Sequence, residues 1–162
     1  MSFSSELKEE ISKTENLANK EAVKYELIGY LITSNISEEK NNIKFSTENE
    51  YNINRFARLL SNMEISQYDI SMQGNLFVIT VKKSYIEGIS TEKDLNLEQI
   101  KWLIKGAYLG SGSINNPEKK YHLEIGFKEK KNAEEIKEYL KKYDIKSNAL
   151  EKNNQYSIYL KD

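Results

Sequence analysis

The residues of this 162-residue chain that could do chemistry are few, and the most regular of them are two serines that follow glycines. Leu27–Asn35 reads LIGYLITSN and Ile104–Gly112 reads IKGAYLGSG; superposed on their glycines, Gly29 meets Gly106 and Ser34 meets Ser111, an offset of 77 residues. A serine becomes a nucleophile only with a base beside it, and neither 27–37 nor 104–117 contains an acid or a histidine. The GSGS run at Gly110–Ser113 does not make a phosphate loop. No Lys-Ser or Lys-Thr pair follows it, and it is expected to end a helix where such a loop would open one. A dinucleotide fingerprint fails as well, because no strand precedes the run and Asn115 stands in the third glycine's place. His122-Leu123-Glu124 has the H-x-E form found in zinc deaminases, but with one histidine and no cysteine the remaining ligands are missing. No nucleophile–base–acid set, metal site or cofactor is expected.

The elements that carry these residues repeat. Residues 4–19 read as a polar helix with a sparse apolar stripe of Leu7, Ile11 and Leu17, followed by a more apolar helix at about 21–34. Ile43–Thr47 alternates as a strand, and Thr47 with Glu50 predicts a capping box opening a helix with Tyr51, Phe56, Leu59, Leu60 and Met63 on one face. Strands around Tyr68–Met72 and Leu76–Lys82 join through Gln73-Gly74-Asn75. The second half follows the same order. Asn96 with Gln99 caps a helix to about Leu109, and a strand places Tyr121, Leu123, Ile125 and Phe127 on one face, opposite His122, Glu124 and Lys128. Asn132 with Glu135 caps another helix, and a hairpin turns at Lys152-Asn153-Asn154. Each half thus reads helix, strand, helix, strand, strand, as an internal duplication would. The expected division is 1–82 for the N-terminal helix and first unit, 83–95 for a connector and 96–162 for the second unit.

Glycine inside a helix costs roughly 1 kcal/mol relative to alanine, so it needs a packing reason. Gly29 with Thr33, and Gly106 with Gly110, place small residues four apart on one helix face. That spacing lets two backbones approach closely, so these helices are expected to cross where the halves meet.

Composition bounds the function. With 38% hydrophobic and 30% charged residues and a net charge of −1, the chain is globular and not a strongly basic nucleic-acid binder. Arginine, best suited to bidentate reading of guanine, occurs only at Arg55 and Arg58. The absence of cysteine and a polar N-terminus make cytoplasmic residence the expectation. Tyr51, Tyr121, Tyr139 and Tyr156 are expected to face the core, and the lysines of 128–131 and 137–142, mixed with glutamates, to line solvated helix faces.

The two glycine segments resemble the LAGLIDADG motif of homing endonucleases, and the chain more narrowly resembles the WhiA family of bacterial transcription regulators. The matching strings are MSFSSELKEE at Met1–Glu10, IKGAYLGSGSINNPEKKYHLEI at Ile104–Ile125, and the closing QYSIYLKD. The resemblance implies an α+β fold of two pseudo-symmetric units, with paired central helices and antiparallel sheets forming a saddle for DNA. It also places Ser34 and Ser111 where such nucleases carry metal-binding acids, which implies a scaffold kept for binding after cleavage was lost. Sporulation and cell division are the processes it implies, with nucleoid association in the cell. Family members continue into a C-terminal helix-turn-helix domain that finds no counterpart here, so the chain reads either as an N-terminal portion or as a naturally short relative.

On that saddle the strand faces would offer Lys44, Ser46, Gln67 and Ser71 from the first half, and His122, Lys128, Tyr159 and Lys161 from the second. Asp69 and Glu124 would repel phosphates, so weak binding to double-stranded DNA is expected. The competing expectation is a protein-interaction module contacting transcription machinery, a sigma factor or RNA polymerase. Two internal copies make a monomer sufficient.

Overall fold

A computed structural model describes residues 3–13, 17–89, 91, 94–114 and 122–161. Helix α1 (Phe3–Ser12) leads to α2 (Lys20–Leu31), whose first turn is held by Asn19: its Oδ1 accepts from the Glu21 and Ala22 amides at 3.0 and 3.2 Å. Then come strands β1 (Ile36–Glu39) and β2 (Asn42–Thr47), helix α3 (Glu50–Asn62), and the hairpin of β3 (Tyr68–Gln73) and β4 (Leu76–Lys82). The short α4 (Lys83–Ile86) follows, falling in the stretch read from sequence as a connector. Next are α5 (Leu97–Ser111), β5 (Gly112–Ile114), β6 (His122–Phe127), α6 (Lys130–Lys142), β7 (Asn148–Lys152) and β8 (Gln155–Lys161). The strands form two antiparallel four-stranded sheets of identical order, β1-β2-β4-β3 and β5-β6-β8-β7.

Sequence pattern explains most of this. β2 alternates, with Ile43, Phe45 and Thr47 buried. The β7–β8 turn places Asn153 and Asn154 at φ 53° and 61°, the left-handed pair that a tight hairpin requires and that asparagine tolerates. Asn96 and Gln99 form the expected capping box at the start of α5. The other two expected boxes do not form. α3 begins at Glu50, so Asn49 takes the cap position and Thr47 Oγ1 instead accepts from the Asn49 amide at 3.3 Å. α6 begins at Lys130, which draws Asn132 into the first turn and leaves Glu129 at the cap without a side-chain bond. Each unit also gains a strand that periodicity did not reveal, β1 and β5, because ISEE and GSI are too short to show one. The second expected helix, drawn to residue 34, stops at Leu31 so that the chain can turn into β1. Tyr139 and Tyr156 face the second core as expected, half-buried against it, whereas Tyr51 is half-buried outside both cores; Tyr121 lies outside the described residues, and among those described the fully buried tyrosines are Tyr25 and Tyr30.

Two apolar cores result. The first centres on Tyr30, Phe45 and Phe56, with Phe45 stacked on Phe56 at 4.9 Å and Tyr30 edge-on to both. The second gathers Ile125, Phe127, Ile136, Leu140 and Ile158. The central helices are exchanged between them: Tyr25 and Ile28 of α2 sit in the second core, and Leu109 of α5 in the first. α2 and α5 can serve both only because they touch backbone to backbone. A Cβ on Gly29 would lie 2.8 Å from Gly106 Cα and overlap the Leu103 carbonyl oxygen, and one on Gly106 would overlap that of Glu26. Gly110 faces Thr33, whose Cγ2 would stand 2.8 Å from an added Cβ.

Polar groups are buried at the same junction. Glu26, 1% exposed, accepts from Arg55 Nε at 2.7 Å and Nη2 at 2.9 Å, and pairs with Lys105 at 3.1 Å. Arg55 Nη1 also donates to the Ser12 carbonyl at the end of α1. Asn52 accepts from the Tyr30 hydroxyl and donates to the Leu109 carbonyl at 2.7 Å, so α3 is fastened to both central helices. α1 straps the two units on one side: Ser4 Oγ accepts from the Ile114 amide, Tyr51 donates to the Ser5 carbonyl, and Ile11 packs against both cores. Its Lys8 lies 5.8 Å over the Tyr108 ring, and burial lowers this ammonium from 10.5 to about 8.

Two outcomes are expected. Gly106→Ala forces α2 and α5 apart and should lower stability by more than the ~1–3 kcal/mol of ordinary overpacking, whereas Gly88→Ala, with open space around it, should leave the urea midpoint nearly unchanged. The unfolded chain binds a proton at Lys8 that the folded chain gives up, so stability rises as pH climbs from about 8 toward 10.5. Above the ordinary tyrosine range that gain is opposed by Tyr30, Tyr51 and Tyr108, whose hydroxyls burial pushes up. Melting temperatures of wild type and Lys8→Met between these limits should differ in slope, with the variant flatter.

Candidate nucleic-acid interface

Both glycine segments end against one glycine of β6. The Ser34 amide donates to the Gly126 carbonyl at 3.1 Å, and the neighbouring Lys128 amide donates to the Ile32 carbonyl at 3.0 Å, tying the end of α2 to the second sheet. Ser111 Oγ donates to the same Gly126 carbonyl at 2.5 Å and accepts from the Gly126 amide at 3.1 Å. The two serine hydroxyls converge: a Cβ on Gly126 would lie 2.6 Å from Ser34 Oγ and 3.6 Å from Ser111 Oγ. Across the junction Asn35 Nδ2 donates to the Gly110 carbonyl at 2.7 Å. The pair is unequal, because Ser111 is consumed by backbone hydrogen bonds while the Ser34 side chain is exposed.

Chemically this junction is neutral. Mg²⁺ prefers charged oxygen ligands, and the groups that converge here are two neutral hydroxyls, of which Ser111 already donates to and accepts from the Gly126 backbone. The residues do not fit a divalent cation. Among the described residues no cluster of three or more histidine, cysteine, aspartate or glutamate side chains could hold a metal. A cleft of about 180 Å³ opens beside Ser34, with Glu124 its one carboxylate.

The faces of the sheets opposite the cores carry the polar residues. Register aligns Ser37, Lys44, Thr80 and Asp69 in one row of the first sheet, and Ser46, Val78 and Ser71 in the next. In the second sheet Ser113, Glu124, Tyr159 and Asn148 form one row, Gly126, Ser157 and Leu150 another, and His122 pairs with Lys161. Of the residues singled out from sequence, Lys44, Ser46, Ser71, His122, Tyr159 and Lys161 therefore share these faces at the backbone level. Gln67 does not. It lies ahead of β3 and accepts from the Tyr85 hydroxyl at 2.7 Å, lining a groove with Met63 and Ile65.

Electrostatics is muted by internal pairing. Lys44 meets Glu39 at 2.7 Å, and Lys128 meets Glu38 at 3.1 Å, with Lys83 on the other oxygen of that carboxylate at 3.5 Å. The hydrogen-bonded Lys128 ammonium, and then Lys83, hold the exposed Glu38 carboxyl below its usual range. His122 stacks on Tyr159 at 5.5 Å with its Nε2 4.0 Å from Glu124. Arg55 is withdrawn into the Glu26 pair, which leaves Arg58 as the arginine outside the core. Sequence reasoning missed Gly126, Asn35, Asn52 and Glu26. Only Gly126 left a trace, since glycine within a strand marks a close backbone approach.

Two α+β units with matching antiparallel sheets, joined through glycine-bearing helices, define the LAGLIDADG homing-endonuclease fold. The homing endonuclease I-DmoI, solved in complex with DNA and Mn, superposes with a TM-score of 0.63 at 16% identity, over 87% of this chain and 90% of that one. Within this class the chain is similar to WhiA proteins. Residues 100–162 match the WhiA LAGLIDADG-like domain. The full-length WhiA structure from Thermatoga maritima superposes with a TM-score of 0.81 at 24% identity, over all of this chain and 58% of that one. The probable cell division protein WhiA of Clostridium botulinum strain Hall is 26% identical over 195 residues, spanning this whole chain and 61% of the relative's length. The chain thus covers about three-fifths of the curated relatives it matches along its full length. No helix among the described residues is long and apolar enough to cross a membrane.

The inequality of the two serines is testable. Ser111→Ala should cost about 1 kcal/mol, as befits a lost side-chain hydrogen-bond pair, and Ser34→Ala close to nothing. Equal shifts in the urea midpoints would show that the contact to Gly126 is unimportant.

Proposed function

We propose that this chain is a non-catalytic DNA-associated module of a WhiA-like transcriptional regulator, a homing-endonuclease scaffold that holds duplex DNA without cutting it. The observation that carries the reading is the neutral junction at Gly126, where Ser34 and Ser111 meet and no pair of carboxylates replaces them. Nuclease chemistry of this class needs a metal to activate water and stabilise the leaving oxygen; two serines supply neither. The polar rows through Lys44, Ser46, Ser71, His122, Tyr159 and Lys161, with Lys128 beside them, are the surface assigned to DNA on this reading. Gly29, Thr33, Gly106 and Gly110 form the interface that sets their spacing. We take 1–82 and 96–162 as the two units joined by 83–95. A single chain suffices for the saddle, and nucleoid association in the cytoplasm follows from the DNA contact.

The burial of Arg55 and the pairing of Lys44 and Lys128 favour a second reading, a protein-interaction module for a sigma factor or RNA polymerase. Titration against duplex DNA by fluorescence anisotropy separates the two. The DNA reading expects weak binding with a log–log salt slope of about −2 to −3, the release of a few counterions, and duplex left intact in excess Mg²⁺. Absence of binding at low salt removes the DNA reading, and Mg²⁺-dependent strand breaks remove the non-catalytic one.

A further inference from the structure

The two sheets share one strand order but differ at their outer edges. β3 pairs with β4 on one side, and no described strand lies on the other; β7 holds the matching edge of the second sheet, beside β8. Register aligns the two edges residue by residue. Ile70 stands opposite the buried Ile79 and Ala149 opposite the buried Ile158, while Met72 faces Phe77 and Glu151 faces Tyr156. Ile70 and Met72 thus correspond to Ala149 and Glu151. The duplicated unit acts as an internal control, with the same strand in the same place and only one of the two edges apolar.

Residues directly opposite each other in an antiparallel pair lie on the same face, so Ile70 and Met72 are on the core side of the sheet. They reach past the core, 48% and 55% exposed, whereas their neighbours Tyr68 and Phe77 pack against it. Natural edges are blunted by lysine, proline, a bulge or shortness. β7 carries Glu151 and Lys152, β1 is four residues ending in Glu38 and Glu39, and β5 is three residues. β3 has six residues, YDISMQ, with neither lysine nor proline, and its register against β4 is unbroken. Nothing in this strand guards its edge.

We propose that β3 is a self-association edge, at which two copies of this chain pair their β3 strands antiparallel about a two-fold axis at Ser71. The strand is complementary to itself in that register. Ile70 of each copy faces Met72 of the other, giving two apolar cross-strand pairs, and Asp69 faces Gln73, so no like charges meet. A foreign strand could take the same backbone bonds, but this reversed match is a property of the sequence paired with itself. The axis is perpendicular to the sheet, so two four-stranded sheets merge into one with both polar faces on the same side. An isologous contact of this kind closes after two copies. It is small, which makes the dimer weak and concentration-dependent. The inference stands apart from DNA binding, because each copy keeps its own complete saddle.

Sedimentation equilibrium on the whole chain, without DNA and from about 5 to about 500 µM, tests it. The average mass should climb from that of one chain toward twice that value and no further. Ile70→Lys and Met72→Lys should each weaken association at least about tenfold. Ile70→Thr, which keeps β-branching, should act less strongly in the same direction, and Ala149→Lys on the second edge should change it less than about twofold. Melting curves verify that each variant folds. The chain has no cysteine, so Ser71→Cys introduces a single thiol on the axis. Opposed residues of an antiparallel pair stand ~4.5–5.5 Å apart at Cα, within disulfide reach. Mild oxidation with copper phenanthroline should therefore link Ser71→Cys into dimers and leave Leu150→Cys, its counterpart on β7, unlinked. A mass that stays at one chain across the range overturns the proposal and leaves the edge to a strand of another protein. Association indifferent to Ile70 and Met72, or a Ser71→Cys chain that oxidation fails to link, overturns it too. So does growth beyond the dimer that Ala149→Lys also disrupts, which would mean that β3 pairs with β7 in open chains.

Discussion

Gly29 and Gly106 let two helix backbones touch, and nearly every other feature follows from that contact. With α2 and α5 at this distance, Tyr25 and Ile28 reach across into the second core while Leu109 reaches into the first. Neither unit completes its core alone, so the chain folds as one body although its sequence is duplicated. The contact also determines where the helices end. Both close on Gly126, and the sheets are fixed on either side of that point. Any side chain at Gly106 would meet the carbonyl of Glu26, the residue whose carboxylate gathers Arg55 and Lys105. Burying such a triad is not a reliable source of stability, because desolvation offsets most of the attraction. Its consequence is geometric: α3 and α5 are held against one residue of α2, and Arg55 extends the link to the end of α1.

The same junction governs the functional reading. A scaffold that cuts DNA must concentrate negative charge where its helices converge, and the groups that converge here are two neutral hydroxyls, that of Ser111 held by the Gly126 backbone. Lys44, Lys83 and Lys128 are paired with Glu38 and Glu39, and the buried Arg55 is held by Glu26.

Much of this was legible in the residues. Period-two alternation marked β2, β3 and β6, the Asn96–Gln99 box marked the start of α5, and the paired glycines with their serines pointed to the LAGLIDADG-like class. The failures are local in origin. Thr47/Glu50 and Asn132/Glu135 have the right letters for capping boxes, but a box forms only if the helix starts at its first residue, and packing moved both starts. β1 and β5 carry no pattern because three or four residues cannot display one; pairing with β2 and β6 creates them. Gln67 sits near a strand of the polar face, yet a hydrogen bond from the distant Tyr85 takes it into a groove.

By itself, then, the sequence determined the duplication, the close helix contact and the absence of acids from both glycine segments, since each is a property of residue type at fixed spacing. Tertiary structure alone decided that Arg55 would be buried with Glu26, that Ser111 would be locked while Ser34 stays exposed, and that Gly126 would receive both. Those outcomes depend on which groups meet across separations of 15 to 92 residues. No local pattern encodes such meetings, because they are settled by how the two cores pack around the crossing of α2 and α5.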